Sequence, residues 1–302
     1  MSITQKLKKG AAWTLGRALP IQKNKVVFSS FYGRGASDNP KAIVDALAQR
    51  PEKLDIVWLA KDPAHAGVPD NVRVVPYDTP AAIRELSTAR VWVDNCRKGA
   101  HVKKDGQYYM QTWHGFALKR IERDVADKLN TPENAAYAEY AKRDSAQIDA
   151  IISNSTFMTE IYQKSFWYHG AVLEYGSARN DILVNPPADA KQQVQQALHL
   201  PNDCQIIMYA PTFRADHSLD AYQLDYQAVC RACAQRFGGN WVMLVRLHPN
   251  VMKLAKDLKF DNQTTFDATA VDDMQLLLAG CDAVITDYSS LMFDFALTRR
   301  PC

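Results

Sequence analysis

Residues 283–294, AVITDYSSLMFD, pass directly from a β-branched apolar run into a helical pattern. Short β-rich runs alternate with helical patterns in the same way along most of the chain. Such alternation predicts parallel sheets covered by helices, the α/β class of fold. Ligands of open parallel sheets bind beyond the carboxyl ends of the strands, so the residues that follow each predicted strand are the candidates for a functional site.

The predicted strands form two series, which indicates two Rossmann-like domains. The first series comprises residues 25–29, 55–60, 72–76, 91–95, 108–112, 150–154 and 171–175, and the second comprises 205–210, 241–246, 264–267 and 283–286. Helical patterns between them include residues 41–49, 80–88, 222–237 and 272–279. Pro186 and Pro187 mark a break before a polar helix, so we expect an N-terminal domain over residues 26–185 and a C-terminal domain over residues 186–302.

The composition excludes several classes of protein. Apolar residues make up 47% of the 302 residues and charged residues 23%, which is ordinary for a folded protein and unlike a disordered or collagen-like chain. No uncharged apolar run approaches the roughly 18 residues of a membrane-spanning helix. Six cysteines are scattered, and only Cys230 and Cys233 lie close together. This usage fits a reducing cytoplasm better than a disulfide framework or a zinc site.

The first 25 residues carry a distinct charge. The chain has a formal net charge of only +3, but this segment contains basic residues and no acidic residue. In a helix, one face would present the apolar residues Ile3, Leu7, Ala11, Leu15 and Ala18. We therefore expect residues 1–25 to lie on an anionic membrane surface, with Trp13 and the cations at headgroup level. A frayed basic arm is the alternative. Arg17 and Pro20 interrupt the apolar core that a secretory signal needs.

Two adjacent serines, Ser289 and Ser290, follow the predicted strand over residues 283–286 and stand in the first turn of the next predicted helix. Backbone N–H groups, hydroxyls and the positive end of a helix can hold a phosphate there without a metal. Ordinary N-capping by serine is the alternative interpretation.

Arg246 and His248 follow the predicted strand over residues 241–246, and strand alternation sends both side chains to the same side. The arginine offers a planar fork for phosphate oxygens, and the histidine can stabilise charge on a departing phosphate. A purely structural histidine is the alternative.

His114 follows the predicted strand over residues 108–112, beside Gly115. A neutral histidine there can take a proton from a hydroxyl nucleophile. Basic residues lie on both sides of it, the last three on a predicted helical face, and they suggest a landing surface for a polyanion. A solvated charged face is the alternative. These residues are Arg97, Lys98, His101, Lys103, Lys104, Lys119, Arg120 and Arg123.

Several well-known motifs do not occur in the sequence. It has no G-x-x-x-x-G-K-[ST] loop, no G-x-G-x-x-G after the first strand, no H-E-x-x-H and no G-x-S-x-G. A P-loop ATPase, a nicotinamide enzyme, a zinc peptidase and a serine hydrolase are therefore unsupported.

Four segments occur together in a specific order: QTWHGFALK at 111–119, YAPTFR at 209–214, RLHP at 246–249 and DYSSLMFD at 287–294. As a set they resemble the CDP-glycerol glycerophosphotransferase family, the primases and polymerases of teichoic acid and capsule. The segment GSARND at 176–181 resembles the glycine-x-proline-arginine-x-aspartate element of that family. The resemblance runs from about residue 25 to the last residue.

The resemblance implies a GT-B-like fold, with two Rossmann-like domains whose parallel sheets face a nucleotide cleft. It implies an N-terminal acceptor domain, a C-terminal CDP-glycerol-binding domain, and transfer of glycerol phosphate from CDP-glycerol to a hydroxyl of a lipid-linked polyanionic acceptor, with release of CMP. It implies a peripheral place on the cytoplasmic face of the membrane, no metal, no cofactor and no nucleic-acid partner.

The resemblance also assigns roles by position. His114 would be the general base, and His248 would stabilise the departing phosphate. The CDP-glycerol site would be lined by Gly115, Phe116, Ala117, Leu118, Arg179, Thr212, Phe213, Arg246, Ser289, Ser290 and Asp294.

Three departures from the family pattern qualify these expectations. Phe116-Ala117 stands where the family usually has Thr-Pro, and Ala178 replaces the usual proline. The family normally continues several tens of residues past Pro301, so we expect a C-terminal domain that is truncated at its end. The competing hypotheses are a CDP-ribitol transferase, a GT-B glycosyltransferase or epimerase that uses a UDP-sugar, and a truncated, inactive, membrane-bound binding module.

Overall fold

A computed structural model describes residues 3–98, 101–129, 131–212, 214, 218–248, 251, 254 and 258–302, and the side chains from residue 9 onward. The chain divides into two compact units, Met1–Arg179 and Asn180–Cys302. The domain boundary expected between residues 185 and 186 lies further along the chain than this division, by the length of one short helix. The first unit is called unit 1 below, and the second is called unit 2.

Unit 1 contains, in its described residues, a seven-stranded parallel sheet of order β3-β2-β1-β4-β5-β6-β7. Its strands are β1 Gln22–Ser29, β2 Asp55–Ala60, β3 Arg73–Pro76, β4 Ala89–Asp94, β5 Tyr108–Gln111, β6 Ala150–Ser153 and β7 Ala171–Glu174. Its helices are α1 Ile3–Ala18, α2 Asp38–Ala48, α3 Pro80–Thr88, α4 Arg123–Ala126, α5 Pro132–Ser145 and α6 Thr156–Ser165.

The central strands of unit 1 are apolar because both faces of the sheet are covered. Val26 of β1 pairs with Ile56 on one side and with Val91 on the other. One face packs Phe28 and Trp58 against α2, and the opposite face packs Trp92 with residues of α3 and α6. This is the doubly wound arrangement that the alternation of strands and helices predicted.

Unit 2 contains, within the described ranges, a four-stranded parallel sheet of order β10-β9-β8-β11. Its strands are β8 Cys204–Tyr209, β9 Asn240–Val245, β10 Thr265–Asp267 and β11 Ala283–Ile285. Its helices are α7 Asp181–Val184, α8 Ala190–Ala197, α9 Tyr226–Phe237, α10 Met274–Gly280 and α11 Leu291–Ala296. Both series of predicted strands are confirmed, with differences only at the strand ends.

Helix α1 is packed on unit 1, contrary to the alternative of a frayed arm. Gly16 approaches α3 so closely that a Cβ at this position would lie 2.2 Å from the Ser87 hydroxyl oxygen. Trp13 lies with its ring 4.9 Å from that of His101, so it faces the protein rather than the outside. The predicted apolar face, from Ala11 to Leu15, points outward, and Leu15 is 70% exposed.

The close approach at Gly16 yields a first prediction. Gly16→Leu is expected to detach α1 from α3, because the Ser87 Cβ would also lie only 2.8 Å from a new Cβ. We expect a loss of about 1–3 kcal/mol in the free energy of unfolding, together with faster proteolysis within the first 20 residues. Gly10→Ala is the matched control, since nothing lies within 4 Å of its added Cβ. It should stabilise the helix by up to ~1 kcal/mol, and an equal effect of both changes would contradict the packing described.

No helix within the described part of the chain combines the length and the apolarity that are needed to cross a bilayer.

Candidate functional site

The strand order of each unit defines the place where a ligand is expected. In unit 1 the order reverses between β1 and β4, and in unit 2 it reverses between β8 and β11. Open parallel sheets bind ligands beyond the carboxyl ends of the strands at such a switch point. The predicted site residues after β5, β8, β9 and β11 therefore lie at, or one strand away from, the switch point of their own unit.

His114 is held in a defined orientation in unit 1. Its Nδ1 lies 2.6 Å from the backbone oxygen of Asn95, the residue after β4. A carbonyl oxygen only accepts, so Nδ1 carries the proton and donates it. In the neutral ring, Nε2 is then left with its lone pair. Trp113 stacks on the same ring at 4.5 Å, and Phe31 meets its edge at 5.5 Å. The arrangement suits a general base that acts through Nε2.

The residue before His114 adopts an unusual backbone conformation. Trp113 has φ of 52°, which is rare for a bulky side chain. Its N–H donates to Gln111 Oε1 at 2.9 Å, and its ring packs edge-on against Phe166. These contacts hold a strained turn in place directly before the candidate base, which is where stored strain commonly occurs in proteins.

Gly115, Phe116, Ala117 and Leu118 continue from His114 as an irregular segment. The Phe116 ring stacks on Phe157, with centroids 5.2 Å apart and planes 11° from parallel. The Ala117 N–H donates to Met158 Sδ at 3.2 Å. Phe157 and Met158 belong to the first turn of α6, so this turn fixes the course of the segment.

Arg179 is buried in an ion pair rather than exposed to solvent. Its guanidinium donates to Asp38 Oδ1 at 3.1 Å, and its own N–H donates to Asn39 Oδ1 at the same distance. Asn39 Nδ2 lies 3.3 Å from the Trp113 carbonyl oxygen, to which it donates. Arg179 is thereby linked, through Asn39, to the segment that carries His114.

Cys96 lies beside the candidate base. Its Sγ lies 3.9 Å from His114 Nδ1. Burial, together with the carboxylates of Asp94 and Asp38, raises the pKa of the thiol well above its ordinary value. The sulfur therefore stays protonated, and Cys96 is not a thiolate nucleophile.

The predicted polyanion surface upstream of His114 is wrong for Arg97 and Lys98, because the structure buries both side chains. Arg97 is paired with Glu122 and Asp144, and Lys98 with Asp94. Lys103 is paired with Asp149, and Lys104 donates to the backbone oxygens of Gly16 and Leu19. Arg97 and Lys98 therefore have structural roles within unit 1.

The predicted helical face downstream of His114 is also wrong. Lys119 and Arg120 are exposed, but they lie in irregular chain ahead of α4. Arg123 is the first residue of α4 and pairs with Asp127 one turn later.

His101 yields a second prediction, on pH. Burial lowers the pKa of His101 to about 3, and the positive charge of Lys98 acts in the same direction. The unfolded ring takes up a proton near pH 6.5, so the unfolded state binds more protons as pH falls below that value. Stability is therefore lost as pH falls from about 6.5 toward 3.

We expect His101 to lower the free energy of unfolding by about 2 kcal/mol as the pH falls from 6.5 to 5. His101→Phe keeps a ring beside Trp13, and it should make the free energy of unfolding, measured in urea titrations, less dependent on pH. The control His65→Phe changes an exposed histidine and should leave this pH dependence as it is in the wild type. If the free energy of unfolding fell equally with pH in the wild type and in His101→Phe, His101 would not be the source of the pH dependence.

Asp287, Thr212 and Arg214 form a hydrogen-bonded cluster at the switch point of unit 2. Asp287, which follows β11, accepts from the Thr212 N–H at 2.8 Å and from Arg214 at 2.8 Å. Burial raises the pKa of Asp287, but the Thr212 N–H and the guanidinium outweigh it and hold the pKa below its usual value. The carboxylate therefore fixes Thr212, which follows β8, in place.

Ser289 and Ser290 precede α11 as predicted. The Ser290 side chain makes no capping hydrogen bond to this helix. Ser289 Oγ lies at 3.4 Å from the Leu291 N–H, a long contact for a cap. Ordinary N-capping therefore does not account for this pair of hydroxyls.

Arg246 and His248 follow β9. The Arg246 guanidinium donates to the carbonyl oxygens of Ala268 and Val271, and burial lowers its pKa. The His248 N–H donates to the Tyr222 hydroxyl at 3.0 Å. Arg246 therefore stabilises the turn after β10. The sequence pattern did not indicate this role.

Asp294 is the predicted site residue that lies within α11. Asp294 is buried, and it accepts from Asn180 Nδ2 at 2.9 Å and from Gln275 Nε2 at 3.3 Å. This places Asp294 in an internal polar network. Phe213 lies outside the described residues.

Sequence reasoning missed Asn39 and Asn95 as candidate site residues, and it quoted Asp287 after the last predicted strand without giving it a role of its own. Asn95 directly follows β4, so the rule of strand ends could have found it. Asn39 lies in α2, and its role rests on contacts with residues 112, 113 and 179. No local signal shows such contacts.

Both units have a doubly wound topology and carry polar residues at their switch points, which defines an α/β protein of the GT-B-like class. The family model described as CDP-glycerol:poly(glycerophosphate) glycerophosphotransferase matches residues 12–302. The chain belongs to this family, as its motifs predicted.

Known relatives and solved structures agree with this membership. The chain is 32% identical over 288 residues to a teichoic acid poly(glycerol phosphate) polymerase of Staphylococcus epidermidis, covering 93% of this chain and 40% of that protein. It is also 32% identical over 291 residues to a teichoic acid glycerol-phosphate transferase of Staphylococcus aureus, covering 92% and 73%. The chain thus spans about two fifths of the first relative.

The solved wall teichoic acid polymerase TagF has a closely similar fold. One TagF structure superposes with a TM-score of 0.83 at 28% identity, covering all of this chain and 79% of that one. Another, a variant soaked with CDPG, superposes with a TM-score of 0.82 over 78% of that chain.

Proposed function

We propose that this protein transfers glycerol phosphate from CDP-glycerol to a hydroxyl group of a lipid-linked acceptor in teichoic-acid-type polymer synthesis, and releases CMP. The observation that carries the proposal is the orientation of His114, whose Nδ1 donates to the Asn95 carbonyl and leaves Nε2 as a base. Family membership over residues 12–302 supports the same chemistry.

The reaction is a displacement at phosphorus. The acceptor hydroxyl oxygen forms a bond to the phosphorus that carries glycerol, and its proton passes to His114 Nε2. The bond from that phosphorus to the bridging oxygen breaks, and CMP leaves with the electron pair. CMP is a good leaving group, so alignment and charge stabilisation supply most of the remaining acceleration.

Unit 2 holds the donor in this proposal. Ser289 and Ser290 offer hydroxyls to the phosphates at the start of α11, and Thr212 is held nearby by Asp287. His248 stabilises the charge that develops on the departing CMP. Arg246 shapes the turn beneath this site, consistent with its bonds to Ala268 and Val271.

The donor is tested by CMP release. The purified chain is incubated with membranes or a lipid-linked acceptor and with CDP-glycerol, CDP-ribitol or a UDP-sugar. We expect CMP from CDP-glycerol alone. Equal or faster release from CDP-ribitol would move the assignment to the sister transferase. Consumption of a UDP-sugar alone would contradict the proposal.

A peripheral place on the cytoplasmic face of the membrane completes the proposal. Helix α1 is docked on unit 1 and turns Ala11, Leu15 and Ala18 outward, with Arg17 exposed beside them. An apolar face flanked by cations binds anionic lipid surfaces. Leu15→Glu should abolish sedimentation with vesicles of phosphatidylglycerol, whereas the same change at Leu129, another exposed leucine, should not.

A further inference from the structure

One buried side chain, that of Gln111, contacts both segments that hold His114 in place. Gln111 is the last residue of β5 and is only 1% exposed. Its Oε1 accepts from the Trp113 N–H at 2.9 Å, and its Nε2 donates to the Cys96 carbonyl oxygen at 3.1 Å. Trp113 directly precedes His114, and Cys96 directly follows Asn95, whose carbonyl oxygen accepts from His114 Nδ1. The Gln111 amide therefore links the turn that carries the imidazole to the segment that carries its hydrogen-bond acceptor.

The chemistry of these contacts suits a carboxamide. A backbone N–H needs an acceptor and a backbone carbonyl needs a donor, and a glutamine side chain offers both. The partners also decide which way the amide points, with Oε1 toward Trp113 and Nε2 toward Cys96. Nε2 donates in addition to the Tyr109 hydroxyl at 2.9 Å, on the same face of β5. Three hydrogen bonds thus hold the Gln111 amide in one orientation.

The Asn95 carbonyl that accepts from His114 is fixed at the same place. The Cys96 N–H donates to Asp94 Oδ1 at 2.8 Å. This N–H and the Asn95 carbonyl belong to one planar peptide unit, so the bond to Asp94 sets the direction in which the Asn95 oxygen points. Gln111 holds the carbonyl of the next peptide unit. The acceptor for His114 Nδ1 is thereby supported from both sides.

The turn before His114 depends on such a contact because it is strained. Trp113 has a φ of 52°, a conformation that persists only where surrounding contacts impose it, and Gln111 Oε1 supplies one of them. Without this bond the turn would relax and carry the imidazole away from the Asn95 oxygen. The hydrogen bond at one ring nitrogen decides which nitrogen keeps the proton. A neutral ring that is protonated on Nε2 cannot take the proton of a hydroxyl through that atom.

We infer that Gln111 is a positioning residue for His114: it fixes the orientation of the imidazole and keeps the proton on Nδ1, so that the lone pair stays on Nε2. The inference rests on the proposed function and adds the side chain on which the general base depends.

The test variant is Gln111→Met, because methionine has nearly the same length and carries no strong donor or acceptor. The matched control is Gln107→Met. Gln107 is also buried and lies directly before β5; it donates to the oxygens of Leu86 and Ala89 and accepts from the Lys104 N–H. It therefore makes as many hydrogen bonds as Gln111, but at the end of β5 away from the candidate base. Both variants should lose similar stability in urea titrations.

The first test determines the tautomer of His114 by ¹⁵N NMR of histidine-labelled protein, at a pH where the imidazole is neutral. His114→Ala identifies the signal. We expect the proton on Nδ1 in the wild type and in Gln107→Met, and wholly or partly on Nε2 in Gln111→Met. An unchanged His114 signal in Gln111→Met would overturn the inference and leave the proposed function standing.

The second test measures CMP release from CDP-glycerol with a lipid-linked acceptor. Gln111→Met is expected to lower kcat by about 10- to 100-fold, the scale on which misplacement of a reacting group acts. The KM for CDP-glycerol should stay unchanged, and Gln107→Met should change neither value. An equal loss of kcat in both variants would overturn the inference, because the cause would then be a general loss of structure. A changed tautomer in Gln111→Met, without CMP release by the wild type from any acceptor, would support the positioning role and overturn the proposed function.

A second variant, Gln111→Glu, keeps the inference testable if Gln111→Met does not fold. Its carboxyl retains an acceptor for the Trp113 N–H, and only its protonated form also carries a donor for the Cys96 oxygen. Turnover relative to the wild type should therefore rise as the pH falls and the carboxyl takes up a proton. Turnover equal to that of the wild type at every pH would overturn the inference.

Discussion

Replacement of His114 by alanine is expected to lower turnover of CDP-glycerol by about 10²-fold or more, with nucleotide binding largely unchanged. The imidazole is held by its Nδ1 bond to the Asn95 carbonyl and by stacking on Trp113, so its Nε2 is the basic atom. Removal of the ring removes the proton acceptor but none of the groups that we assign to donor binding in unit 2. Turnover is measured as CMP release, and binding of CDP-glycerol is measured by calorimetry.

A matched control for His114→Ala is available in the same unit. His65 lies on an exposed turn, paired with Asp62. His65→Ala should therefore leave both turnover and binding at wild-type values. If His114→Ala retained full activity, His114 would not be the base. If it lost CDP-glycerol binding as well, the histidine would be part of the donor site.

Replacement of Arg97 by alanine is expected to cost about 3–5 kcal/mol of unfolding free energy, the largest stability effect that we predict. The guanidinium donates to Glu122 Oε2 at 2.6 Å and to Asp144 Oδ2 at 3.3 Å, and all three side chains are almost fully buried. Burial lowers the pKa of Arg97, but the two carboxylates outweigh it and hold the pKa above its usual value. Without the arginine, the two buried carboxylates would lose the positive charge that offsets their own.

The measurement for Arg97→Ala is a urea titration at neutral pH. Arg50→Ala is the control, because Arg50 forms its ion pair with Glu52 at the surface, where such pairs contribute little. We expect a clearly lower urea midpoint for Arg97→Ala and no shift for Arg50→Ala. Equal midpoints would mean that the buried cluster does not stabilise the fold.

Both sheets could be predicted from the sequence because the apolar pattern of a buried strand is local. Runs such as the one that became β2, with Val57 and Trp58 at its centre, are apolar along their whole length since both faces of a parallel sheet are buried. The strand-end rule likewise led to His114, Ser289 and Ser290, because position after a strand can be read directly from the chain.

Whether an individual cation is buried or exposed could not be predicted in this way. Arg97 and Lys98 look like surface residues in sequence, yet their partners Glu122, Asp144 and Asp94 make them internal. Two of these partners are more than twenty residues away, so only the folded chain brings them together. Burial of a charge depends on such pairs and not on local pattern.

The same limit applied to Arg179 and Trp13. Arg179 stays a prediction for the donor site, but its buried ion pair with Asp38 at the start of α2 could not be read from the local sequence. Trp13 was expected at the membrane, but it packs against His101. Both residues are amphipathic and suit either environment. The packing of α1 on α3, through Gly16, decided between the two faces of the helix.

The most direct test of the proposed reaction follows both products of one turnover. CDP-glycerol labelled in its glycerol is incubated with the protein and a lipid-linked acceptor, and the nucleotide and the lipid extract are analysed together. The account predicts CMP and labelled lipid in equal amounts, both lost in His114→Ala. Release of CDP, or of CMP with the label left as free glycerol phosphate, would contradict transfer of glycerol phosphate to the acceptor.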